Sequence, residues 1–550
     1  MNKKIKITIS LIIALVILIG VVIGFKSCQK GGIPFFGEQG PETYQDNSVS
    51  VAIEKVATFN PVISTDKYVK NINKLIYSGL FSMDVNMMPR EDLAASYEFS
   101  DDQSSVTIKL KRNVKWHDGA SFTAEDVKFT IDAYKSTWTG MYYGYVQNIA
   151  SCKIIDESTV VIYYGSDPAR NLESLTFPIL PSHCYKNVSE IASAKGKFVP
   201  VGTGPFQVET FEMLKEIVLV PNRNYYGDKA TSSIRFEVLP NENNGITLMD
   251  IADIDILVKT NYDRDTLLNN IDAVMYDRPS GTTEIVGFNM YRASIADKHI
   301  RQGICSLINT EEVLEDAFLG KGIYTDSLFY PGYYGTENAG DIYPYSVEEA
   351  HAAFKKAGYS DRDGDGLVEN ANGEIISISI LVDASDSYKV RAAGIIAANL
   401  RAGGIDATVD AVESGTFTAR IYGLSYDIFV GTVNLNERFD LRNVVGSSNV
   451  FGYYNEDVAR ILGRYASELS SAAKVLYITE LKEIMQDEVP FYPLINKTYG
   501  VICASGFADA NAEEGDIVSM FNNPYIGAGN WSMERVVKQS QLVDQQDEEE

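Results

Sequence analysis

Apolar residues recur along this chain with two periods, one typical of strands and one typical of helices. Val106, Ile108 and Leu110 alternate with polar residues, which predicts a half-buried strand. Over residues 389–402, apolar side chains recur three and four positions apart, which predicts an amphipathic helix. Gly403 ends that helix, and a second alternating pattern follows it. The succession of strand, helix, glycine and strand predicts an α/β protein.

Two helix starts carry recognisable capping residues. Thr123 is followed three residues later by Asp126, and Ser346 is followed at the same distance by Glu349. At this spacing, the capping side chain and the third residue of the helix exchange hydrogen bonds with backbone N–H groups. Apolar residues at helical spacing follow both pairs, and Gly358 comes directly after the second set. The pattern therefore predicts helices that begin just after Thr123 and just after Ser346.

Residues 1–28 have the pattern of a membrane-targeting segment. Three lysines near the start precede Ile7, which opens a run of 19 uncharged residues that ends at Phe25. About 20 apolar residues in a helix cross the hydrocarbon core of a bilayer. Because lysines stay on the cytoplasmic side, the rest of the chain is expected outside the cytoplasm, held at the membrane surface. The segment is thus either an uncleaved signal-anchor, which its length favours, or a signal peptide. Lipidation of Cys28 is a further alternative, which Lys26 disfavours.

Composition separates the two ends of the chain from its body. Residues 29–46 are rich in Gly, Pro, Gln and Glu, which is typical of a linker, and residues 539–550 form an acidic tail that we expect to be disordered. The hydrophobic fraction of 45% is typical of globular proteins. A net charge of -26 repels phosphate backbones, which argues against a nucleic-acid partner.

The chain lacks the short motifs of common catalytic and cofactor sites. It contains no GxSxG, HExxH, Walker A or GxGxxG sequence. Four histidines, at 117, 183, 299 and 351, do not pair with one another at ligand spacing. The five cysteines form no CxxC motif; we expect buried free thiols, with a disulfide between Cys152 and Cys184 as the open alternative. These features favour a binding protein over an enzyme.

One acidic segment copies part of a calcium-binding loop. Asp361, Asp363, Asp365 and Gly366 give the first half of the pattern D-x-D-x-D-G. Such a loop needs a bidentate glutamate at its twelfth position, where this chain has Asn372. The alternative is a tight turn, which Asp-Gly pairs favour. Calcium is the one cofactor that the sequence leaves open.

Six segments of the chain carry motifs that occur together in one family. They are the strand, WHDG turn and helix at 107–134, GTGPF at 202–206 with the strands that follow, FNMYRASIADKHIRQGICSLINTEEV at 288–313, KKAGYSDRDGDGLVENANGE at 355–374, LRAGGIDATV at 400–409 and EVPFYPL at 488–494. In this order they resemble the peptide- and nickel-type solute-binding proteins of ABC importers. The likeness runs from about residue 49 to residue 535.

The resemblance implies a fold of the periplasmic-binding-protein type II, with two α/β lobes joined by two crossing strands. In that fold the ligand is enclosed between the lobes when they close about a hinge. The implied lobe one comprises residues 47–285 and 502–538, with an extra subdomain at roughly 84–200. The implied lobe two comprises residues 286–501.

The resemblance also implies which residues face the ligand. They are Thr58, Phe59, Asn60, Gly202, Thr203, Gly204, Asn434, Asn436, Glu437 and Asp440. In many relatives an aspartate pairs with the amino terminus of the peptide, and Leu435 stands at that place here. Glu437 or Asp440 would have to supply the negative charge instead. This departure leaves the ligand class open.

The function implied by the resemblance is capture and delivery of a solute. The chain is expected to bind extracellular oligopeptides in the interlobe cleft and to deliver them to an ABC permease, whose membrane subunits work with cytoplasmic ATPases. Two alternatives remain: a receptor of the same fold for a metal chelate or an oligosaccharide, and a peptide-sensing surface protein that is not coupled to transport. Nothing in the sequence indicates an oligomer, so we expect a monomer.

Overall fold

The computed structural model describes residues 43–536, except for 55–57, 139, 168–170, 194–197, 199, 213, 240–243, 251–252, 261–268, 270, 436–438, 514–515 and 519–522. The predicted anchor at 1–28 with Cys28, most of the predicted linker, and the acidic tail lie outside the described residues. The last four linker positions, Thr43–Asp46, form a strand. Within the described ranges, no helix is both long enough and apolar enough to cross a bilayer.

The described chain divides into two compact units. One comprises residues 47–533, and the other carries the end segments that include 43–46 and 534–536. Within the second unit, the Thr43 hydroxyl donates to Glu534 at 2.7 Å, and Arg535 pairs with Asp46 at 2.6 Å. The fold and the candidate site belong to the larger unit.

Strands and helices alternate along the chain, as the spacing of apolar residues predicted. The strands are β1 (Thr43–Asp46), β2 (Ser48–Glu54), β3 (Phe81–Met83), β4 (Pro89–Glu91), β5 (Ala94–Phe99), β6 (Ser105–Leu110), β7 (Ile149–Asp156), β8 (Thr159–Tyr164), β9 (Phe206–Glu212), β10 (Glu216–Pro221), β11 (Ser233–Leu239), β12 (Ile256–Lys259), β13 (Ala273–Phe288), β14 (Ser377–Asp383), β15 (Asp406–Val412), β16 (Ile428–Asn434), β17 (Phe491–Ala504), β18 (Phe507–Asp509) and β19 (Trp531–Val536). The α-helices of four or more residues are α1 (Lys67–Ile76), α2 (Ala124–Lys135), α3 (Tyr143–Val146), α4 (Val188–Ser193), α5 (Asn244–Asp250), α6 (Lys298–Ser306), α7 (Val347–Lys356), α8 (Ser387–Ala402), α9 (Ser414–Tyr422), α10 (Arg442–Val445), α11 (Glu456–Ser467) and α12 (Ser471–Glu488).

The predicted helix starts are confirmed. Helix α2 begins after Thr123, whose backbone N–H donates to Asp126 Oδ2 at 2.8 Å. Helix α7 begins after Ser346, whose hydroxyl oxygen accepts from the Glu349 N–H at 3.1 Å. Gly358 has a φ of +89°, the left-handed conformation that glycine adopts most readily after a helix. Local capping chemistry therefore fixed these boundaries.

A ten-stranded sheet organises the larger unit around two long strands. Its order is β15-β14-β16-β13-β17-β12-β2-β11-β10-β9, with the antiparallel pair β13 and β17 in the interior. Strand β17 carries β12 along residues 500–503, while the far end of β13 carries β16 along residues 282–288. The pair thus links two groups of strands, as the two crossing strands of the implied fold would.

The ladder between these two long strands is interrupted near its middle. Pro279 pairs with Thr498 and Thr283 with Asn496, so that residues 280–282 of β13 stand opposite a single residue of β17. The buried Asn496 side chain closes this bulge, because its Nδ2 donates to the Ser280 carbonyl at 3.0 Å and its Oδ1 accepts from the Ser280 N–H at 3.2 Å. A bulge bends a strand and changes where its side chains point.

The apolar core is divided into separate clusters. The largest draws its buried side chains from Val49 to Ile256 and from Tyr499 to Met533, and it contains Trp116 and Trp531. The next two draw mainly on residues 285–495. A separate four-stranded sheet, β5-β6-β8-β7, packs into the first cluster. The exact lobe boundaries of the sequence analysis stay predictions.

The described cysteines are free thiols, so the alternative of a disulfide between Cys152 and Cys184 is wrong in this structure. Cys152 is buried in β7, whereas Cys184 is exposed in a short helical turn, Ser182–Cys184. Cys305 and Cys503 are buried, as expected for free thiols. The exposure of Cys184 was not expected.

Candidate functional site

A cavity of about 540 Å³ lies beside the bulge in β13. Its wall is drawn from five places: helix α1, the end of β12, the two long strands, the end of β16, and the segment before β19. The lining residues are Lys67, Tyr68, Lys70, Asn71, Val258, Thr260, Ser280, Gly281, Thr282, Asn434, Leu435, Lys497, Thr498, Tyr499, Pro524 and Tyr525. The volume falls within the range of about 300–1,000 Å³ that is typical of small-ligand sites.

Helix α1 presents its first turn to the cavity. Asp66 caps the helix by accepting hydrogen bonds from the Tyr68 and Val69 N–H groups, at 2.8 and 3.3 Å. Val69 is buried in the core, whereas Lys67 is exposed and Lys70 partly so. Because residues three apart lie on neighbouring positions of a helix surface, the two lysines reach the cavity together.

The opposite wall is built by the bulge and the end of β16. The Thr282 hydroxyl donates to Asn434 Oδ1 at 2.8 Å. The Leu435 N–H donates to the Gly281 carbonyl at 2.8 Å. These bonds hold the bulge against β16, so the cavity wall depends on pairing between distant parts of the sequence.

The cavity has a positive character in a chain of net charge -26. Among its described lining residues, every ionisable acid or base other than tyrosine is a lysine: Lys67, Lys70 and Lys497. Lys497 Nζ lies 3.4 Å from Glu284 Oε1, which neutralises part of its charge. Two charges 4 Å apart interact by about 4 kcal/mol at an effective dielectric constant near 20. The lysines therefore favour a ligand that carries a carboxylate or another anionic group.

One buried hydroxyl of the wall lacks a partner. Tyr525 is 1% exposed, and its hydroxyl makes no hydrogen bond to any described residue. Burial raises the pKa of this phenol above its ordinary value, so the group stays a neutral donor. Buried polar groups usually have a partner, and those that lack one often face water or a ligand. A bound solute could supply the missing acceptor.

Only one described residue of the predicted ligand-facing set lines this cavity, namely Asn434. Asn436 and Glu437 lie outside the described residues. The remaining predicted residues lie elsewhere in the structure. Their roles in binding stay predictions.

The GTGPF segment packs beneath the end of α1. A Cβ on Gly202 would lie 1.9 Å from the Ile76 carbonyl oxygen, and the Gly204 N–H donates to that same oxygen at 2.9 Å. Thr203 is fully buried. His117 accepts from the Gly202 N–H at 3.1 Å through Nδ1. The two glycines thus allow a close approach of two backbones.

The early segment at 58–60 is held in the core. Phe59 packs edge-on against Phe211, with ring centroids 5.1 Å apart. Asn60 is fully buried; its Nδ2 donates to the Ile191 carbonyl at 2.7 Å, and its Oδ1 accepts from the Val62 N–H at 3.0 Å. The Asn60 N–H donates to the Thr58 hydroxyl oxygen at 3.2 Å. These bonds fix the chain that leads into α1.

Asp440 is paired with a cation of its own chain. Arg442 Nε lies 2.9 Å from Asp440 Oδ1, and Arg442 Nη2 lies 2.5 Å from Oδ2. Arg442 also reaches Asp167 at 2.9 Å. The hydrogen bond to Asp440 is the main cause that raises the pKa of Arg442. The carboxylate proposed for a peptide amine is therefore already neutralised.

The acidic segment at 361–366 forms a turn bonded to its own backbone. Asp361 accepts from the Gly364 and Gly366 N–H groups at 2.7 and 3.2 Å, and Asp365 accepts from Leu367 at 2.8 Å. Asp361, Asp363 and Glu369 each place a carboxylate oxygen within 4.8 Å of the others, whereas Asp365 stays outside this group. Calcium binding stays a prediction, with Glu369 as a third carboxylate that the loop pattern did not indicate.

Sequence reasoning missed most of the residues that line the cavity. A capped helix start at Asp66 with lysines at spacing three was the available signal for Lys67 and Lys70. No local signal marks Ser280, Gly281 or Lys497, because they meet only through the pairing of β13 with β17.

Comparisons with known proteins place these features in a family. Residues 88–443 match the family model of bacterial extracellular solute-binding proteins, family 5 middle. The chain is 26% identical over 317 residues to the glutathione-binding protein GsiB of Salmonella choleraesuis (strain SC-B67), covering 55% of this chain and 60% of that protein. It is 23% identical over 502 residues to the oligopeptide-binding protein AppA of Bacillus subtilis (strain 168), covering 87% and 90%. The chain thus spans about 60% of the glutathione-binding relative.

Solved structures share the fold. The oligopeptide-binding protein AppA from Bacillus subtilis, in complex with a nonapeptide, aligns with a TM-score of 0.58 at 18% identity and covers 90% of this chain and all of that chain. NikZ from Campylobacter jejuni, in complex with Ni(L-His), aligns with a TM-score of 0.61 at 22% identity and covers 88% and 99%. These likenesses confirm the predicted two-lobed α/β fold. Because the family match covers more than half of its residues, this chain belongs to the bacterial extracellular solute-binding proteins of family 5.

Proposed function

We propose that this chain is the solute-binding component of an ABC importer and that it captures oligopeptides in the cavity beside the β13 bulge. The observation that carries the proposal is the position of that cavity, bounded by α1 on one side and by β16 on the other, at the crossing of the two long strands. In a fold that closes about its crossing strands, a ligand at this point contacts both lobes and stabilises the closed form.

The lining favours a peptide held by its carboxylate. Lys67, Lys70 and Lys497 supply the cations, while Asp440, the candidate partner for an amine, is occupied by Arg442. Two of the relatives are named for peptide ligands, glutathione and oligopeptides. We therefore propose that the free carboxyl group is the end of the peptide that this cavity selects.

A metal chelate that carries carboxylate groups is the second candidate. One structural relative was solved with Ni(L-His), and the lysines would attract the carboxylates of such a chelate as well. A neutral oligosaccharide makes no use of the three ammonium groups, so the charge of the lining disfavours it.

The biological setting follows from the proposed role. The captured peptide would pass to a permease of membrane subunits, and cytoplasmic ATPases would drive its import. We propose that residues 1–28 tether the protein to the outer face of the membrane as a monomer, with residues 29–42 as a spacer. A sensor that captures peptides without transport would share the cavity but would not support peptide uptake.

The first experiment identifies what the purified full-length chain carries. Native mass spectrometry in mild detergent should show bound peptides, and calorimetry should then compare one such peptide with its C-terminal amide and with its N-acetylated form. We expect the amide to bind at least tenfold more weakly and acetylation to have a smaller effect. Co-purification of a metal chelate, with no heat of binding from peptides, would contradict the peptide proposal.

Charge variants test the site itself. Lys67→Gln and Lys497→Gln should each weaken binding of the free-acid peptide by about tenfold and leave binding of its amide nearly unchanged. The matched control is Lys356→Gln, in the last turn of α7 and exposed to solvent, which should bind both peptides as the wild type does. An equal loss for acid and amide would contradict the role of the lysines.

A further inference from the structure

Three side chains of types that can bind a metal ion meet on the surface, and none of them lines the cavity. Asp118 lies in the WHDG turn before α2, and His183 and Cys184 lie in the helical turn Ser182–Cys184. His183 Nε2 is 2.7 Å from Asp118 Oδ2 and 3.6 Å from Cys184 Sγ. Cys184 Sγ is 4.0 Å from Asp118 Oδ2. A carboxylate, an imidazole and a thiol thus converge on one point.

A buried carboxylate beneath the cluster holds its two turns together. Asp126 is 2% exposed, and its Oδ1 accepts from both the N–H and the hydroxyl of Ser182, at 2.8 and 2.7 Å. Its Oδ2 accepts from Trp116 Nε1 at 3.3 Å, which fixes the start of the WHDG turn. The three surface groups are therefore positioned by the core of this region.

One oxygen of Asp118 is left to face the other two groups. Its Oδ1 accepts from the Ala120 N–H at 3.1 Å, within its own turn. Its Oδ2 points to His183 and Cys184. All three residues are exposed, so a fourth position remains open to water.

The separations approach those of a tetrahedral metal centre. Zinc lies about 2.3 Å from thiolate sulfur and about 2.0–2.2 Å from imidazole nitrogen and carboxylate oxygen. At tetrahedral angles these bond lengths place sulfur and nitrogen about 3.6 Å apart, sulfur and oxygen about 3.5 Å apart, and nitrogen and oxygen about 3.3 Å apart. The sulfur–nitrogen separation already fits, at 3.6 Å. Side-chain shifts of about half an ångström would bring the other two into range.

The surroundings suit a divalent cation better than a reactive thiol. Burial, together with the negative charges of Asp118 and Asp126, raises the pKa of the Cys184 thiol to about 11. At neutral pH the thiol therefore keeps its proton, which makes it a poor nucleophile and a slow partner in disulfide exchange. The same carboxylates attract a dication, and the ion would release the thiol proton to solvent as the sulfur binds it.

We propose that Asp118, His183 and Cys184 bind a divalent transition-metal ion of the zinc class, with water as the fourth ligand. Calcium and magnesium prefer all-oxygen ligand sets, and a thiolate with an imidazole favours zinc or cobalt over them. The ion clamps the WHDG turn to the turn at 182–184. Because His117 of the same WHDG turn bonds to Gly202, the clamp also fixes the support of the GTGPF segment.

Cobalt titration of the full-length, chelator-stripped protein tests the proposal. Co²⁺ should produce both the thiolate-to-cobalt charge-transfer band and the strong visible bands of a tetrahedral site, and Zn²⁺ should abolish both. Cys184→Ser should remove the charge-transfer band, and Asp118→Asn should weaken Co²⁺ binding by at least tenfold. The matched controls are Cys28→Ser, the cysteine outside the described residues, and Asp363→Asn in the other acidic turn; both should keep the wild-type spectrum.

A melting curve for each variant separates binding from folding. Without metal, Cys184→Ser should unfold at the temperature of the wild type, because the side chain is exposed. Zn²⁺ should raise the melting temperature of the wild type and of the two controls but leave that of Cys184→Ser unchanged. A charge-transfer band that persists in Cys184→Ser, or cobalt bands that lack sulfur character in the wild type, would overturn the proposal.

Discussion

A buried ion pair offers the sharpest test of how the larger unit is held together. Glu173 and Lys474 are each 3% exposed, and they contact each other directly. The Tyr334 hydroxyl donates to the same carboxylate, and Lys474 Nζ lies 5.3 Å from the centre of the Tyr334 ring. Glu173 belongs to the short helical turn Leu172–Leu175, whereas Lys474 belongs to α12. Replacing Lys474 with methionine keeps the length of the side chain but removes its charge.

The burial of the pair determines how much stability Lys474→Met should lose. Removing one partner of a buried pair leaves the other charge without compensation and costs about 3–5 kcal/mol. We therefore expect Lys474→Met to lower the free energy of unfolding by that amount at pH 7. Lys128→Met is the matched control: Lys128 pairs with Asp132 at 2.5 Å on an exposed helix surface, where such a pair contributes at most about 1 kcal/mol.

Lowering the pH from 7 to 5 should reduce the difference in free energy of unfolding between Lys474→Met and the wild type. In the wild type, burial alone would raise the pKa of Glu173, but the charge and hydrogen bond of Lys474 outweigh it and hold the pKa below the ordinary 4.5. That stabilisation is constant from pH 7 to pH 5 and is lost as the pH falls below about 4.5. In the variant, burial is opposed by the Tyr334 hydrogen bond but no longer by a cation, so the folded state takes up a proton as the pH falls. The variant should regain up to about 2.7 kcal/mol between pH 7 and pH 5.

Urea unfolding followed by tryptophan fluorescence at both pH values measures these differences, and the double variant Glu173→Gln with Lys474→Met should recover part of the loss. A loss below about 0.5 kcal/mol at pH 7 would refute the reasoning, because it would mean that the pair is not buried in solution. A loss that does not shrink at pH 5 would refute the assignment of the orphaned charge to Glu173.

Three further changes give distinct outcomes. Gly202→Ala should lower the free energy of unfolding by about 1–3 kcal/mol in chemical denaturation, because the new Cβ would clash with the Ile76 carbonyl. Gly394→Ala in α8 is the control and should stabilise the protein slightly, because a Cβ there meets nothing within 4 Å. Equal effects of the two substitutions would contradict this packing. Burial raises the pKa of Asp92 to about 6, so the free energy of unfolding should decline by about 3 kcal/mol as the pH rises from about 4 to about 6. Asp92→Asn should abolish that decline in a pH series of melting curves. A decline that persists in the variant would mean that another group causes it. Asp126→Asn should lower the free energy of unfolding in urea by about 3 kcal/mol, because the amide NH2 that replaces one carboxylate oxygen faces a donor, either Trp116 Nε1 or the Ser182 N–H. A loss below about 1 kcal/mol would contradict the role of Asp126 in holding the two turns together.

The parts of the fold that were predictable from sequence depend on neighbouring residues. Thr123 and Ser346 marked helix starts correctly because capping is a local interaction between residues three apart. The alternation at Val106 and Ile108 marked β6 because one face of that strand packs into a core. Family motifs then supplied the order of the elements, and with it the two-lobed architecture.

The candidate site was mostly beyond prediction because its residues meet only through distant pairing. Ser280 and Lys497 lie more than two hundred positions apart in the sequence. They reach the same cavity because the bulge gives β13 two more residues than β17 at this point. Glycines at 202 and 204 permit a close approach, but the sequence does not show whether a ligand or the backbone of α1 is the partner. The sequence likewise indicated a negative charge at Asp440 but not its ion pair with Arg442.

The bulge at 280–282 allows the residues that face the ligand to change without a change in the pairing of the long strands. Ladder pairing resumes on either side of it, and the side chain of Asn496, rather than a ladder hydrogen bond, fixes its first residue. Substitutions at positions 280 and 281 should therefore leave the register of the long strands unchanged. Related receptors could diversify at these two positions while keeping the same hinge, and a library built there would be a direct route to binding proteins with altered solute preference.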